Sequence, residues 1–425
     1  MTGKTLMKSA SDSPLSGVDR LARRIVTNQF ASLQGGRILM HDATGMTSYG
    51  TSTDLSATLT VHDARLFRSA VTGGTLSVAE SYLRGDWEAD DLTSLFRIFA
   101  RSRDSTNRLE RGLARLTSLG HRLFHRFHAN TRAGSRRNIE AHYDLGNDFY
   151  RLWLDETMAY SSGIFEMPDS TLKEASLEKF DRVCRKLNLQ PPDEVLEIGT
   201  GWGGFALHAA REYGSRVTST TISQAQFDLA SGRIQDAGLK DRVEVLLEDY
   251  RDLRGQYDKL VSIEMIEAVG HKYLDSYFRQ CGRLLRPNGT LVLQAIVMPE
   301  SRYETYRKSV DFIQRYIFPG GCLPSVGAIL ESVGRTSDLR FVHAEDFAPH
   351  YAETLRRWRQ NFWAHLDDVR RLGFSERFLR LWNYYLSYCE AAFEERLIGV
   401  MQLQFDKPGC RRDPLELGKL ASKVC

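Results

Sequence analysis

Polar and apolar positions change rhythm along this chain, and the changes mark out its elements. Val18, Leu21, Ile25 and Leu33 recur at roughly helical spacing. Two short strand-like runs follow. In the second, Ala57, Leu59 and Val61 alternate with Thr58 and Thr60, the period of a half-buried strand. Leu92, Leu95, Phe96 and Phe99 return to a helical stripe. These elements predict a small α+β domain over residues 18–103, after a Ser/Thr/Gly-rich stretch, 1–17, whose composition predicts disorder. From residue 193 strands and helices alternate. EVLEI, RVTST, VEVLL, DKLVSI and TLVLQAI read as strands, with helical patterns in most of the gaps. This alternation predicts a parallel sheet covered on both faces. From about 299 to 365 an aromatic-rich helical stretch is long enough to lie over the sheet as a lid. Near the end Val400, Gln402, Gln404 and Asp406 alternate with Met401, Leu403 and Phe405, a late strand with antiparallel character at the sheet's end. The main domain is expected over 138–425, joined to the first by a helical linker, 104–137.

Composition narrows the class without naming a function. Among 425 residues, 42% hydrophobic and 26% charged is the mix of a globular protein with a sizeable core. No uncharged apolar run approaches the ~20 residues that span a bilayer. The N-terminal MTGKTLMKSASDSPLSG lacks the apolar stretch of a secretory signal. The six cysteines form no CxxC pair, so neither a zinc site nor a disulfide framework is indicated, and a reducing cytoplasm is the expected home. Net charge is only +3, but its distribution is uneven. Between Arg101 and Arg137 ten arginines face only Asp104 and Glu110. Such a run suits a nucleic acid or an anionic lipid surface, and equally a solvated linker helix.

The most informative stretch is VLEIGTGWGG, residues 195–204. A buried strand enters a glycine-rich turn and then a helix, FALHAAREY. Glycines allow the sharp turn and let a ligand approach the backbone closely. The strict G-x-G-x-x-G of dinucleotide folds is not met, and Glu197 would repel a phosphate. A carboxylate there suits a cationic, hydroxyl-bearing ligand such as S-adenosylmethionine. An E-x-G-x-G turn resembles motif I of class I methyltransferases. The second strand ends in TTISQAQ with no acidic residue for ribose hydroxyls. Thr221 and Gln226 could supply hydrogen bonds instead, while Ser223 could equally cap the next helix. EDYRD, 248–252, follows the third strand, where an adenine would lie.

Taken in order, HYDLGNDFY (142–150), MAYSS (158–162), LEIGTGWGG (196–204), TTISQAQ (220–226), DYRDL (249–253), SIEMIEAVG (262–270) and DFIQRYIFPGGCLPS (311–325) resemble the cyclopropane-fatty-acyl-phospholipid synthases. Mycolic acid cyclopropane synthases share that core. The resemblance covers about residues 138–410, and the N-terminal domain resembles that of the longer bacterial synthases. It implies a class I S-adenosylmethionine-dependent methyltransferase fold, a Rossmann-like sheet with a helical lid. It also implies methylene transfer to the cis double bond of unsaturated acyl chains in membrane phospholipids. Carried over, Tyr160 and Ser161 flank the methionine end of the cofactor, and Glu197, Gly199, Gly201, Trp202 and Gly203 form its turn. Thr221 and Gln226 meet the ribose, and Tyr250 and Arg251 lie near the adenine. Ser162, Glu267, Gln294, Ile296 and Tyr316 match positions that hold a bicarbonate ion.

The chemistry explains these residue types. An alkene attacking a methyl group develops carbocation character, which aromatic faces stabilise without capturing it. Tyr143, Tyr160, Phe312, Tyr316 and Phe318 are candidates. A base must then take a proton from the new methyl for the ring to close, and bicarbonate suits a water-poor pocket. The sequence departs from the family pattern at three points: Ser162 replaces the usual Cys, Gln294 the usual His, and Glu267-Ala268 the usual Glu-His. Proton loss from a neighbouring chain carbon would instead give a methyl-branched or methylene product. A non-catalytic lipid- or nucleotide-binding relative is disfavoured because Glu197, Gly199, Gly201, Glu267 and Tyr316 are all present. A nucleic-acid methyltransferase is disfavoured because SIEMIEAVG stands where its catalytic motif would be. For a lipid enzyme the arginine run then reads as an anionic-membrane contact, placing the protein peripherally on the inner face of the membrane. The small N-terminal domain could serve that docking or a homodimer contact.

Overall fold

The computed structural model describes residues 15–102 and 145–411. The basic linker 104–137 and Tyr143 lie outside the described residues. Two compact units emerge. One holds the described residues up to 102 with Ser309–Ile317 and Trp358–Leu397, and the other holds 145–308, Phe318–Arg357 and the chain from Ile398.

The first unit carries a four-stranded sheet of β1 (Arg37–Asp42), β2 (Gly45–Tyr49), β3 (Ser56–Val61) and β4 (Trp87–Ala89) in the order β2-β1-β3-β4. The expected alternation in β3 is present: Ala57, Leu59 and Val61 are buried between half-exposed threonines. The helix Gly17–Phe30 also forms, but on a different face from the one the pattern marks. Val18, Leu21 and Ile25 are exposed, and Ala22, Val26 and Phe30 make the buried side. The helix has two apolar stripes, and packing chose the one that continues into Leu33. The helix Arg65–Arg84 kinks at Gly74, whose φ of 60° is outside helical geometry.

The second unit is built on a seven-stranded sheet. Its strands are β5 (Glu194–Ile198), β6 (Arg216–Thr221), β7 (Val243–Leu247), β8 (Tyr257–Ile263), β9 (Leu285–Val297), β10 (Arg340–Asp346) and β11 (Gly399–Asp406), in the order β10-β11-β9-β8-β5-β6-β7. β5 to β9 pair in parallel, β11 runs antiparallel beside β9, and β10, antiparallel to β11, runs in the direction of β9. Side-chain alternation divides the core in two. Leu196, Leu260, Leu291 and Leu293 pack with Phe278 and Leu403 on one face. Val195, Val217, Val261 and Val292 pack with Phe180 and Phe205 on the other. Apolar residues on both faces are what parallel strands need when helices cover both sides.

This is the sheet of a class I methyltransferase. The late strand is confirmed, one place in from the edge. β10 was not expected: its stretch falls within the predicted helical excursion. It is an edge strand exposed or half-exposed along its whole length, so it leaves no clear alternation of polar and apolar residues. Among the described residues no helix is long and apolar enough to cross a membrane.

The chain order reverses beside β5. From β5 it runs outward through β6 and β7, then returns to β8 on β5's other side. Ligands of such sheets bind at this switch point, beyond the carboxyl ends of the strands. Leu260, fully buried on β8, packs in the leucine-rich core on one face of this sheet. Leu260→Ala should cost about 2–5 kcal/mol, read as a lowered urea midpoint with an unchanged slope.

Candidate active site

Two turns meet at the switch point. The first follows β5. Gly199, Gly201 and Gly203 all have positive φ (104°, 52° and 84°), so the turn depends on glycine. A Cβ on Gly199 would come within 3.1 Å of Met265 in the turn after β8, whereas one on Gly201 would meet nothing within 4 Å. The open side at Gly201 is a cradle for a ligand lying on the backbone, and an uncharged, close-approaching turn of this kind fits S-adenosylmethionine. Trp202 is buried, donates from Nε1 to Asn147 Oδ1 at 2.8 Å, and lies 4.8 Å from the Tyr150 ring. Tyr160 joins the same aromatic group, 5.6 Å from Tyr150 and 5.5 Å from Trp153.

The predicted cofactor residues are all near the carboxyl ends of these strands, with distinct local roles. Glu197 is buried and its Oε2 accepts from Ser219 on β6, so it braces two strands. Burial pushes its carboxyl up to about 8. Thr221 donates to Gln226 Oε1 at 2.8 Å and accepts from the Ser223 amide. The Ser223 side chain caps the next helix, as the alternative reading of that motif expected. Arg251 pairs with Asp249 at 2.6 Å and lies 5.6 Å from the Tyr250 ring. Ser161 is buried and accepts from Lys179 Nζ at 2.6 Å.

The second turn carries two carboxylates. Glu264 follows β8 directly with φ +50°, a backbone region that costs an ordinary residue energy and is held only where surroundings fix it. Its Oε1 accepts from the Ser162 amide at 3.0 Å and from Gln294 Nε2 at 2.7 Å. Its Oε2 accepts from Tyr351 Oη at 2.7 Å. Burial still holds its carboxyl above the usual range. Glu267 follows on a single 3₁₀ turn, Ile266–Ala268. Its Oε1 accepts from the Ile296 amide at 2.6 Å, and its Oε2 is buried without a hydrogen bond. Burial first, then the charge of Glu264, pushes Glu267 up to about 8. Lys179 is fully buried, and burial pulls its ammonium down to about 8 against the attraction of Glu264, Asp155 and Glu197.

Of the five positions matched to bicarbonate, the structure gathers four around these carboxylates: Ser162, Glu267, Gln294 and Ile296. The Ser162 hydroxyl donates to the Gly163 carbonyl at 3.0 Å, and it is the Ser162 amide that faces Glu264. Tyr316 belongs to the other unit, where its hydroxyl donates to Glu80 Oε1 at 2.6 Å. Sequence reasoning missed Glu264, Lys179 and Tyr351. Glu264 had a signal, a charged residue immediately after the apolar run of β8. So did Lys179, which falls on the apolar face shared by Ala175, Val183 and Leu187.

The raised carboxyl of Glu267 has a consequence for stability. A folded-state value near 8 against 4.5 unfolded means that wild type binds an extra proton when folded between those limits. Its contribution is present below about pH 4.5 and is lost as pH rises through about 8. Glu267→Gln should therefore gain stability over wild type with rising pH, by at most about 1.4 kcal/mol per pH unit. Urea unfolding at several pH values checks this, and parallel curves would contradict it.

Comparison with known proteins agrees with this geometry. A family model described as mycolic acid cyclopropane synthetase matches residues 130–403. The chain is 41% identical over 343 residues to tuberculostearic acid methyltransferase UfaA1 of Mycobacterium tuberculosis, covering 79% of this chain and 80% of that one. It is 36% identical over 356 residues to the cyclopropane-fatty-acyl-phospholipid synthase of Escherichia coli, covering 83% and 88%. Among solved structures, mycolic acid cyclopropane synthase CmaA1 complexed with SAH and CTAB aligns with a TM-score of 0.61 at 32% identity, over 64% of this chain and 98% of that one. The glycine cradle, the switch-point carboxylates and these matches together show that the chain is an S-adenosylmethionine-dependent methyltransferase belonging to the mycolic acid cyclopropane synthetase family.

Proposed function

We propose that this protein adds a one-carbon unit to the cis double bond of unsaturated acyl chains in membrane phospholipids, and that its own carboxylates handle the proton the substrate then loses. The observation that carries this reading is Glu264. Its Oε1 already engages the Ser162 amide and Gln294, two of the positions that the resemblance assigns to a bicarbonate ion. A carboxylate of the chain thus stands where the sequence led one to expect a bound anion.

Gly199, Gly201 and Gly203 would hold S-adenosylmethionine, which when bound would supply an electrophilic methyl group, the carbon–sulfur pair leaving on S-adenosylhomocysteine. The alkene's π pair forms the new carbon–carbon bond, leaving positive charge on the other alkene carbon. Tyr160 offers an aromatic face for that charge. Glu264, supplied with three donors, offers negative charge and a proton acceptor. Glu267, raised to about 8, keeps its own proton near neutral pH and becomes a second acceptor only above that value.

Which proton leaves decides the product. Loss from the new methyl closes a cyclopropane ring, and loss from a neighbouring chain carbon gives a methyl-branched or methylene lipid. The ring-forming reading places Ser162 and Gln294 on bicarbonate. Their engagement with Glu264 favours the branched outcome without bicarbonate, as does the 41% identity to a relative named as a tuberculostearic acid methyltransferase. The arginines of 101–137 would hold the enzyme to an anionic leaflet, each contributing ~1 kcal/mol near the surface.

Two experiments test the proposal. Purified protein, labelled S-adenosylmethionine and vesicles of cis-unsaturated phospholipid should yield vinylic methyl or methylene signals in proton NMR of the released esters, with and without bicarbonate. Upfield cyclopropyl signals that require bicarbonate would establish the ring-forming reading instead. In the same assay Glu264→Gln should lose about 10²–10⁴-fold in turnover while retaining cofactor affinity. Separately, replacing several arginines between Arg101 and Arg137 should weaken binding to anionic vesicles, and raised salt should mimic the loss. Salt-independent binding would count against the membrane contact.

A further inference from the structure

A one-way chain of side-chain hydrogen bonds leads from a buried lysine to Glu264. Lys186 Nζ donates to Gln402 Oε1 at 2.5 Å, Gln402 Nε2 to Gln294 Oε1 at 3.0 Å, and Gln294 Nε2 to Glu264 Oε1 at 2.7 Å. Gln294 and Gln402 sit directly opposite one another on β9 and β11, and both are fully buried. Lys186 is buried as well. It is anchored by Glu345 at 2.5 Å, which in turn pairs with Arg182.

The direction of the chain follows from its two ends. An ammonium group only donates, and an ionised carboxylate only accepts. Gln402 must therefore turn its carbonyl to Lys186 and its amino group to Gln294. Gln294 must then offer its carbonyl to Gln402 and its amino group to Glu264. The strands pair through their main chains whatever side chains they carry. Burying two amides and a lysine in a row is costly unless every group is bonded, and apolar residues of similar size would fill the same space.

We infer that Gln402 and Lys186 are positioning residues: through Gln294 they fix which end of an amide meets Glu264, and so hold that carboxylate as an anion. The other groups facing Glu264 do not set this choice. They are the Ser162 amide from the preceding loop, Lys179 from the helix Leu172–Leu187, Tyr351 from the helix that begins at Ala348, and Glu267 from the 3₁₀ turn. Burial opposes the anion and Lys179 favours it, so the donor from Gln294 weighs in the balance. The consequence for turnover rests on the role proposed above for Glu264; the orientation of Gln294 does not.

Gln402→Glu tests this with almost no change of shape. The new carboxylate keeps a partner for Lys186 but has only acceptors for Gln294. Gln294 should then flip and turn its carbonyl oxygen to Glu264. In cofactor-free protein labelled with ¹³C-glutamate, the Glu264 carboxyl signal, assigned by its loss in Glu264→Gln, should titrate about one pH unit higher than in wild type. Turnover near neutral pH should fall about tenfold, with its acid limb displaced to higher pH and KM for S-adenosylmethionine held within about twofold. Lys186→Met, which removes the ammonium that sets the direction, should move the same signal the same way. It carries the test if Gln402→Glu does not fold. A Glu264 titration unchanged in a folded variant overturns the inference. A shifted titration in a protein whose wild type modifies no unsaturated phospholipid leaves the relay standing and refutes the proposed function instead.

Discussion

A half-buried carboxylate just past β8 sets the terms for the rest of this site. Glu264 sits at the switch point of a parallel sheet, where hydrophobic packing leaves little water to solvate a charge. An unpaired buried ion costs several kcal/mol, and the usual escape is to bind a proton. Here the escape is opposed by three donors, each from a different part of the chain: the Ser162 amide, Gln294 on β9 and Tyr351 after β10. None of the three is near Glu264 in sequence. The two strands added beyond β9 therefore do more than extend the sheet. β11 brings Gln402 opposite Gln294, and the chain that follows β10 brings Tyr351.

The two halves of the site use different physics. On the cofactor side the turn after β5 is almost pure backbone, shaped by three glycines with positive φ. Glu197, the one carboxylate in that motif, accepts from Ser219 on the neighbouring strand. On the reaction side the turn after β8 is all side chain, with two glutamates three residues apart, one well supplied with donors and one less so. Like charges this close push their proton affinities apart. Glu264, with its three donors, is the better-held anion. Glu267, with one oxygen on the Ile296 amide, is raised by burial and by its neighbour. Lys179, fully buried on the helix that precedes both turns, is drawn on by both Glu197 and Glu264.

The sheet was legible because its strands are short apolar runs bounded by turns and by helical patterns, a signal that burial on both faces writes directly into composition. β10 was not, because an edge strand exposed along its length has no such signature. In the first helix the periodicity was right and the face was wrong, since two apolar stripes satisfy one period and only packing chooses between them. The site was half legible. Glycines and motif residues mark the cofactor turn, but the polar row Gln402 and Gln404 in β11 reads as a solvent-facing stripe, whereas both are buried. A buried amide looks like a surface residue until its partners are known. The same limit hid Lys179 and Glu264, whose charges make sense only through contacts far along the chain.

Ser162 and Gln294 depart from the pattern of the family, and in sequence they look like a weakened anion site. Beside Glu264 they have a different meaning. A histidine at position 294 would carry a charge that varies near neutral pH. A glutamine carries none, and its amide neither gains nor loses a proton under ordinary conditions. It can transmit orientation but not charge. On the function proposed above the anion is built into the chain, and a neutral donor held in one direction by Lys186 and Gln402 would leave proton balance to the two glutamates and Lys179. Substitutions that would impair capture of a small ion are thus consistent with holding a fixed carboxylate in its place.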